Sequence, residues 1–338
     1  MKNRPSSCAV VAAIALAATA GAAAIGQVNP TTAVAPARVA ATQPAPHTAL
    51  PDTPGTGAFP ALKEIVPSLP DHVIYRPADL SRLGSRKLGL FIWGNGACSD
   101  DGASVRFHLA EIASHGYLAI APGRILSGPG ALPPAPQPAP QPAPPPGANA
   151  SGKLLTVKTT TAALIAAIDW AYAENDRRGS PFFHRLDLNK LAVAGHSCGG
   201  LQALEAASDP RVHAVIINNS GIFADGTNPI AGLNVDKALL RKLHTPIFYI
   251  LGGPTDIAYP NGMDDFARID TVSVMVANLA VGHGGTFSQP NGGAVAQVSV
   301  KWLDWQLSGD KVAAKAFVGK DCGLCTDPQW TVGRKRID

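Results

Sequence analysis

Short apolar runs recur along the chain, and segments with helical spacing of apolar residues lie between them. The runs have the length of strands, are rich in Val, Ile, Leu and Ala, and are bounded by Gly, Pro, Asn and Asp, a pattern typical of buried strands. Seven strands are predicted, at residues 72–76, 87–93, 117–121, 191–195, 212–218, 246–251 and 273–280. Because helices alternate with these strands, the sequence predicts an α/β fold with a mostly parallel, doubly wound sheet.

The helical segments repeat apolar residues at intervals of three and four. They are predicted at residues 103–114, 154–175 and 201–207, and around a C-terminal stripe formed by Val295, Val298, Trp302 and Trp305. Such a stripe packs the last helix of the domain against the sheet.

The N-terminus has a different pattern. Lys2 and Arg4 precede an apolar run of small residues at 8–20, which is too short to span a bilayer. We therefore predict a secretory signal peptide over residues 1–26 and a secreted protein, extracellular or periplasmic. The alternative, a single membrane anchor, requires a longer apolar stretch.

Two further segments have a low-complexity composition. Residues 27–60 contain mainly Ala, Pro and Thr and are predicted to be a disordered leader, because they cannot bury enough apolar surface. The remaining residues, 61–338, are predicted to form one domain with a Pro-rich insertion at 127–150. The insertion leaves from a strand end, so it is either a solvated segment or one that gates a site.

The stretch GHSCGG contains Gly195, Ser197 and Gly199 and lies between a predicted strand and a predicted helix. In a turn of this kind the serine backbone is strained, and its hydroxyl projects above the sheet. The glycines are required because a side chain there would collide with the neighbouring strand or helix. Ser197 is therefore the predicted nucleophile; the alternative is a turn serine without chemistry.

Two more polar residues follow later strands at the same predicted edge of the sheet. Asp256 lies in GGPTD after strand 246–251, and His283 lies in VGHGG after strand 273–280. A serine nucleophile needs a base, and the base needs a group that orients it, so we predict a catalytic triad of Ser197, His283 and Asp256. Asp264 and Asp265 are less favoured substitutes for Asp256. The histidines His196, His213 and His244 are assigned structural positions.

Four cysteines remain after removal of the signal peptide, an even number in an oxidising compartment. They allow three disulfide connectivities. We favour Cys98 with Cys198, because both flank one cavity if the loop after strand 87–93 faces the serine turn; two buried thiols are the alternative. Cys322 and Cys325 in CGLC are predicted to form a local disulfide, since a metal site requires four ligands.

Composition and charge narrow the class of partner. The formal net charge is +4, and without Lys2 and Arg4 the basic residues nearly balance the 24 acidic ones. A protein that binds nucleic acid needs a concentrated basic face, so a nucleic-acid partner is not expected. The hydrophobic fraction of 46% is sufficient for a sizeable core.

Four motifs together, WGNGAC, GHSCGG, GGPTD and VGHGG, resemble those of secreted serine hydrolases of the α/β-hydrolase superfamily. The nearest resemblance is to dienelactone-hydrolase-like, chlorophyllase-like and bacterial polyesterase-like members, over about residues 62–310. The resemblance implies a carboxylic-ester hydrolase that forms an acyl-enzyme. It also implies an oxyanion hole made by the backbone N–H groups of Cys198 and of Asn95 or Gly96.

The resemblance implies a small-molecule or polymeric ester as substrate, with no cofactor, no metal, no stable membrane insertion and a monomeric state. Two other functions remain open. One is a secreted serine peptidase or amidase, and the other is a non-catalytic interaction protein on a hydrolase scaffold.

Overall fold

The computed structural model describes residues 52–132, 157–225, 227–230 and 232–338. Nine strands are present there: β1 (Ala61–Val66), β2 (Leu69–Pro77), β3 (Leu88–Gly94), β4 (Tyr117–Pro122), β5 (Leu186–His196), β6 (Ala214–Asn218), β7 (Ile247–Leu251), β8 (Val274–Leu279) and β9 (Trp330–Lys335). The helices are α1 (Arg106–Ser114), α2 (Thr161–Asp176), α3 (Cys198–Ala206), α4 (Tyr259–Arg268), α5 (Gly293–Ser308), α6 (Lys311–Ala314) and α7 (Gly323–Thr326).

All nine strands belong to one sheet, in the order β1-β2-β4-β3-β5-β6-β7-β8-β9. The six strands from β4 to β8 in this order are parallel, and β1, β2 and β9 pair antiparallel at the two sides. The predicted mostly parallel α/β sheet is confirmed. Its topology brings the carboxyl ends of β3, β5, β7 and β8 to one edge, where ligands bind in sheets of this type.

Helices cover both faces of the sheet, and the strand residues alternate between two apolar clusters. In β3, Leu90 and Ile92 face the cluster that contains α2 and α3, whereas Phe91 and Trp93 face the cluster that contains α1 and α5. This alternation follows from the two-residue period of a strand. Burial on both faces explains why the parallel strands are continuous apolar runs rather than alternating ones.

The boundary predicted for the leader is wrong for residues 52–60. Thr56 donates from its backbone N–H to Glu111 at 2.7 Å, Gly57 donates to Ser114 Oγ at 2.9 Å, and Phe59 is buried. These contacts hold the segment against α1, so its low apolar content did not prevent it from packing. Residues 1–51 and the Pro-rich stretch at 133–150, together with the start of the predicted helix at 154–156, lie outside the described residues.

The two outermost strands and α4 were not predicted. β1 and β9 carry charged residues such as Lys63, Glu64 and Arg334, which is common at sheet edges and removes the apolar signal of a buried strand. α4 contains Pro260 and Gly262, both poor helix formers. The proline is tolerated because it lies in the first turn, where its missing N–H has no helical partner to bond.

Candidate active site

Ser197 lies at the junction of β5 and α3 in a strained conformation, with φ 53° and ψ −122°. The backbone can make this turn only because its neighbours are glycines. A Cβ on Gly195 would lie 2.2 Å from Gly199 O, and a Cβ on Gly199 would lie 2.1 Å from the carbonyl of Gly94. The Ser197 N–H donates to Asn218 O at 3.0 Å, which fixes the turn to the end of β6.

The structure brings Ser197, His283 and Asp256 into one hydrogen-bonded line. His283 Nε2 lies 2.9 Å from Ser197 Oγ, and His283 Nδ1 lies 2.6 Å from Asp256 Oδ1. Because an ionised carboxylate only accepts hydrogen bonds, Nδ1 donates to Asp256 and Nε2 of the neutral ring accepts from the serine hydroxyl. This arrangement allows the imidazole to take the serine proton.

Asp256 is 2% exposed and receives three further hydrogen bonds. Ala258 N donates to Oδ1 at 2.9 Å, and Gly252 N and Asn219 Nδ2 donate to Oδ2 at 3.0 and 2.9 Å. Burial alone would raise the pKa of Asp256, but the hydrogen bonds from His283 and these donors lower it to about 2. The carboxylate therefore stays ionised and holds the Nδ1 proton of His283.

Asn219 is a site residue that the sequence analysis missed. It follows β6 directly, has a positive φ of 46°, and donates from Nδ2 both to Asp256 and to Gly282 O at 3.0 Å. It thus connects the loop that carries the aspartate to the loop that carries His283. The only available sequence signal is its position at a strand end, which many polar residues share.

His196, assigned a structural position from the sequence, contacts the loop that carries His283. Its Nε2 lies 2.8 Å from His283 O, and the two rings are 5.1 Å apart. Burial lowers the pKa of His196 to about 4, so the neutral ring donates this hydrogen bond. Gly96 must be a glycine here, because a Cβ would lie 2.5 Å from His196 Nδ1. His213 and His244 are exposed at other strand and loop ends.

The loop after β3 runs beside the start of α3. A Cβ on Gly199 would lie 2.5 Å from Asn95 N, so this loop and the first turn of α3 are in direct contact. Asn95 is buried, and its Nδ2 donates to Ser99 O and Pro122 O at 2.9 and 2.7 Å. Within the described residues, the backbone N–H groups of Asn95, Gly96 and Cys198 donate no hydrogen bond to the protein. They remain available to a ligand.

Two cysteine pairs lie at disulfide separation, with the connectivity that the sequence favours. The Cα atoms of Cys98 and Cys198 are 5.2 Å apart, and those of Cys322 and Cys325 are 4.9 Å apart. The first pair joins the loop after β3 to the first residue of α3. Ala97 and Cys98 both have positive φ, at 53° and 45°, so the loop is held in a conformation that few residues adopt.

Asp264 and Asp265, the weighed substitutes for Asp256, do not contact His283. Asp265 is fully buried and accepts from Lys237 Nζ at 2.6 Å, Ile222 N at 2.8 Å and Tyr249 Oη at 3.2 Å. Its role is structural, since it fastens the segment after β6 to α4. Asp264 is partly exposed and pairs with Lys237 and Arg268.

Replacing Asp265 by alanine is expected to lower the free energy of unfolding by about 3 kcal/mol, because the N–H of Ile222 and the hydroxyl of Tyr249 lose their buried acceptor. Urea denaturation followed by circular dichroism measures this. Asp264→Ala is the matched control and should cost less than about 1 kcal/mol. Equal losses in the two variants would contradict the assigned role of Asp265.

A scan against protein-family models finds no match, and a search of curated proteins finds none either. None of the described helices has the length and apolar character needed to cross a bilayer. Within the same residues, no group of three or more His, Cys, Asp or Glu side chains is arranged to hold a metal ion.

Proposed function

We propose that this chain is a secreted carboxylic-ester hydrolase of the α/β-hydrolase superfamily. The observation that carries the proposal is the continuous line from Asp256 through His283 to Ser197, with both hydrogen bonds formed. The strained turn at Ser197 and the chain order of serine, aspartate and histidine support the same superfamily. The two disulfide pairs fit an oxidising compartment.

In the proposed reaction, Ser197 Oγ attacks the ester carbonyl while its proton passes to His283 Nε2. Asp256 stabilises the imidazolium that forms, and the negative charge on the carbonyl oxygen is bound by the N–H of Cys198 with that of Asn95 or Gly96. Collapse of this intermediate breaks the C–O bond, and His283 returns the proton to the leaving alcohol. A water then attacks the acyl-serine, with His283 again taking and returning the proton, which releases the acid and regenerates Ser197.

The primary test is covalent labelling with a fluorophosphonate probe, followed by peptide mass spectrometry. We expect a single modified residue, Ser197. Absence of labelling would instead indicate a non-catalytic interaction protein on a hydrolase scaffold. Matched p-nitrophenyl esters and p-nitroanilides with the same acyl group then separate an esterase from a peptidase or amidase, because only a peptidase or amidase turns over the anilide at a measurable rate.

The disulfide between Cys98 and Cys198 is proposed to hold the two sides of the oxyanion hole at a fixed separation. Replacing both cysteines by alanine is expected to lower kcat/KM at least about tenfold per active molecule, because preorganised donors supply a large part of the rate. The variant should also lose about 4 kcal/mol of stability, since the bond closes a loop with a sequence separation of 100.

The matched control replaces Cys322 and Cys325 by alanine. This bond closes a loop with a sequence separation of only 3, so about 2 kcal/mol of stability and less than a twofold change in activity are expected. Active-site titration with the fluorophosphonate normalises the rates. Equal losses of activity in the two double variants would remove the proposed role of the first disulfide.

A further inference from the structure

A mainly apolar cavity of about 260 Å³ opens directly beside Ser197. It lies between α3, the segment that follows β6, and the start of α4. Its apolar walls are formed by side chains that include Leu201, Phe223, Ile230 and Ile257. Apart from His283, the polar side chains that the structure describes in its lining are uncharged, among them Asn219 and Asn261.

The position of the cavity relative to the reacting groups decides which part of an ester it faces. His283 approaches Ser197 from the face of the sheet that carries α1 and α5. The ring of His283 is 5.1 Å from that of His196, and the ring of His196 is 5.0 Å from that of Phe287, which belongs to the apolar cluster on this face. The leaving alcohol must point toward His283 to receive its proton. The carbonyl oxygen must point toward the N–H groups of Cys198 and of the loop after β3.

With the leaving alcohol directed toward His283 and the carbonyl oxygen toward its N–H donors, the acyl chain is the substituent of the carbonyl carbon that is left to face the cavity. Leu201 and Ile230 belong to the apolar cluster on the opposite face of the sheet, and the segment after β6 lies on the side of Ser197 away from β3. Resting on the proposed esterase function, we infer that this cavity binds the acyl chain of the substrate and restricts it to an uncharged, short to medium length.

The volume sets the length of chain that fits. A water molecule takes up about 30 Å³ of the liquid, and a methylene group is of similar size, so the cavity accommodates about eight such groups. It is also smaller than the roughly 300–1,000 Å³ of pockets for drug-sized ligands. An acyl chain of up to about eight carbon atoms fits inside, whereas the end of a long fatty acyl chain must extend into solvent.

The lining also determines which charge is accepted. Among the described residues that line the cavity there is no lysine or arginine to pair with a carboxylate, and no aspartate or glutamate to pair with an ammonium group. An acyl chain that ends in a charge would have to lose its hydration without gaining a partner. The site should therefore discriminate strongly between a neutral acyl chain and a charged chain of the same length.

The test is a series of p-nitrophenyl esters from acetate to laurate, with the hemisuccinate as a charged counterpart of the butyrate. We expect kcat/KM to rise by up to about fourfold for each methylene that becomes buried, to level off near octanoate, and to be at least about 100-fold lower for the hemisuccinate. Equal rates for acetate and octanoate, a rise that continues to laurate, or equal rates for butyrate and hemisuccinate would each overturn the inference.

Two variants test the walls directly. Ile230→Trp should fill the cavity and lower the ratio of octanoate to acetate cleavage at least tenfold, and Phe223→Ala should move the preferred length to longer chains. Val312→Trp is the matched control, because Val312 is 75% exposed on α6 and does not line the cavity. If both wall variants keep the wild-type ratios, the cavity is not the acyl site.

Fluorophosphonate labelling of Ser197 separates this inference from the proposed function. Labelled enzyme with an unchanged chain-length profile in both wall variants rejects the acyl site and leaves the hydrolase intact. Absence of labelling in the wild-type chain rejects the hydrolase and the acyl site together.

Discussion

Replacing Ser197 by alanine is expected to lower kcat/KM for p-nitrophenyl butyrate by about 10⁴- to 10⁶-fold. The variant keeps the proposed oxyanion donors and the proposed acyl cavity but has no oxygen at the position 2.9 Å from His283 Nε2. Loss of a triad nucleophile leaves only the residual rate that the binding groups supply. Initial rates with purified protein, corrected for background hydrolysis, measure the effect.

Ser208→Ala is the matched control for this variant. Ser208 lies just beyond the end of α3, is exposed, and donates only to Glu205 O. Both variants should retain the circular dichroism spectrum and melting temperature of the wild type, since neither residue lies in the apolar core. Activity of Ser197→Ala within tenfold of wild type would disprove its assignment as nucleophile.

Replacing Asp256 by asparagine is expected to lower kcat about 10⁴-fold, the size of effect that an incorrect histidine tautomer produces in a triad. The carboxylate accepts four hydrogen bonds, and each of its oxygens accepts two of them. An asparagine has one oxygen and one NH₂ group, so its NH₂ must face two donors in either orientation. If the NH₂ faces His283, the proton moves to Nε2, which then no longer accepts from Ser197.

If the NH₂ of the substituted residue faces Asn219 and Gly252 instead, two buried donors lose their acceptor, at a cost of about 1–3 kcal/mol each. The variant should therefore lose stability or activity, and the measurement is kcat together with a urea denaturation curve. Asp264→Asn is the control, because Asp264 is partly exposed and pairs with Lys237 and Arg268 rather than with His283. Wild-type kcat together with wild-type stability in Asp256→Asn would show that another group orients His283.

The hydrophobic pattern by itself determined the central part of the sheet. The apolar runs of β3, β4, β6, β7 and β8 were predicted to within a few residues, because a parallel strand buried on both faces requires a continuous apolar sequence. The same information placed Ser197, Asp256 and His283 after strand ends, and parallel strands present these ends at a single edge. The order of strands and polar residues along the chain is therefore sufficient to predict that these three residues lie at the same edge of the sheet.

Other features depend on contacts that the pattern does not contain. The edge strands β1 and β9 are held by pairing with β2 and β8, so their sequences need no apolar run. Residues 52–60 pack because α1 supplies partners such as Glu111, which lies 55 positions from Thr56 in the chain. Local composition does not reveal such a distant partner.

For the candidate site, too, the sequence determines one part and the tertiary structure decides the other. The sequence named the three triad residues and favoured the Cys98–Cys198 pair, but only the fold brings the Cα atoms of those cysteines to 5.2 Å. The contacts of Asn219 and the proposed acyl cavity depend entirely on tertiary structure, because each is made by segments that are far apart in the chain. Strand periodicity specifies which face a side chain occupies, whereas the distances between loops are decided by how α3, α4 and the loops after β6 and β8 pack together.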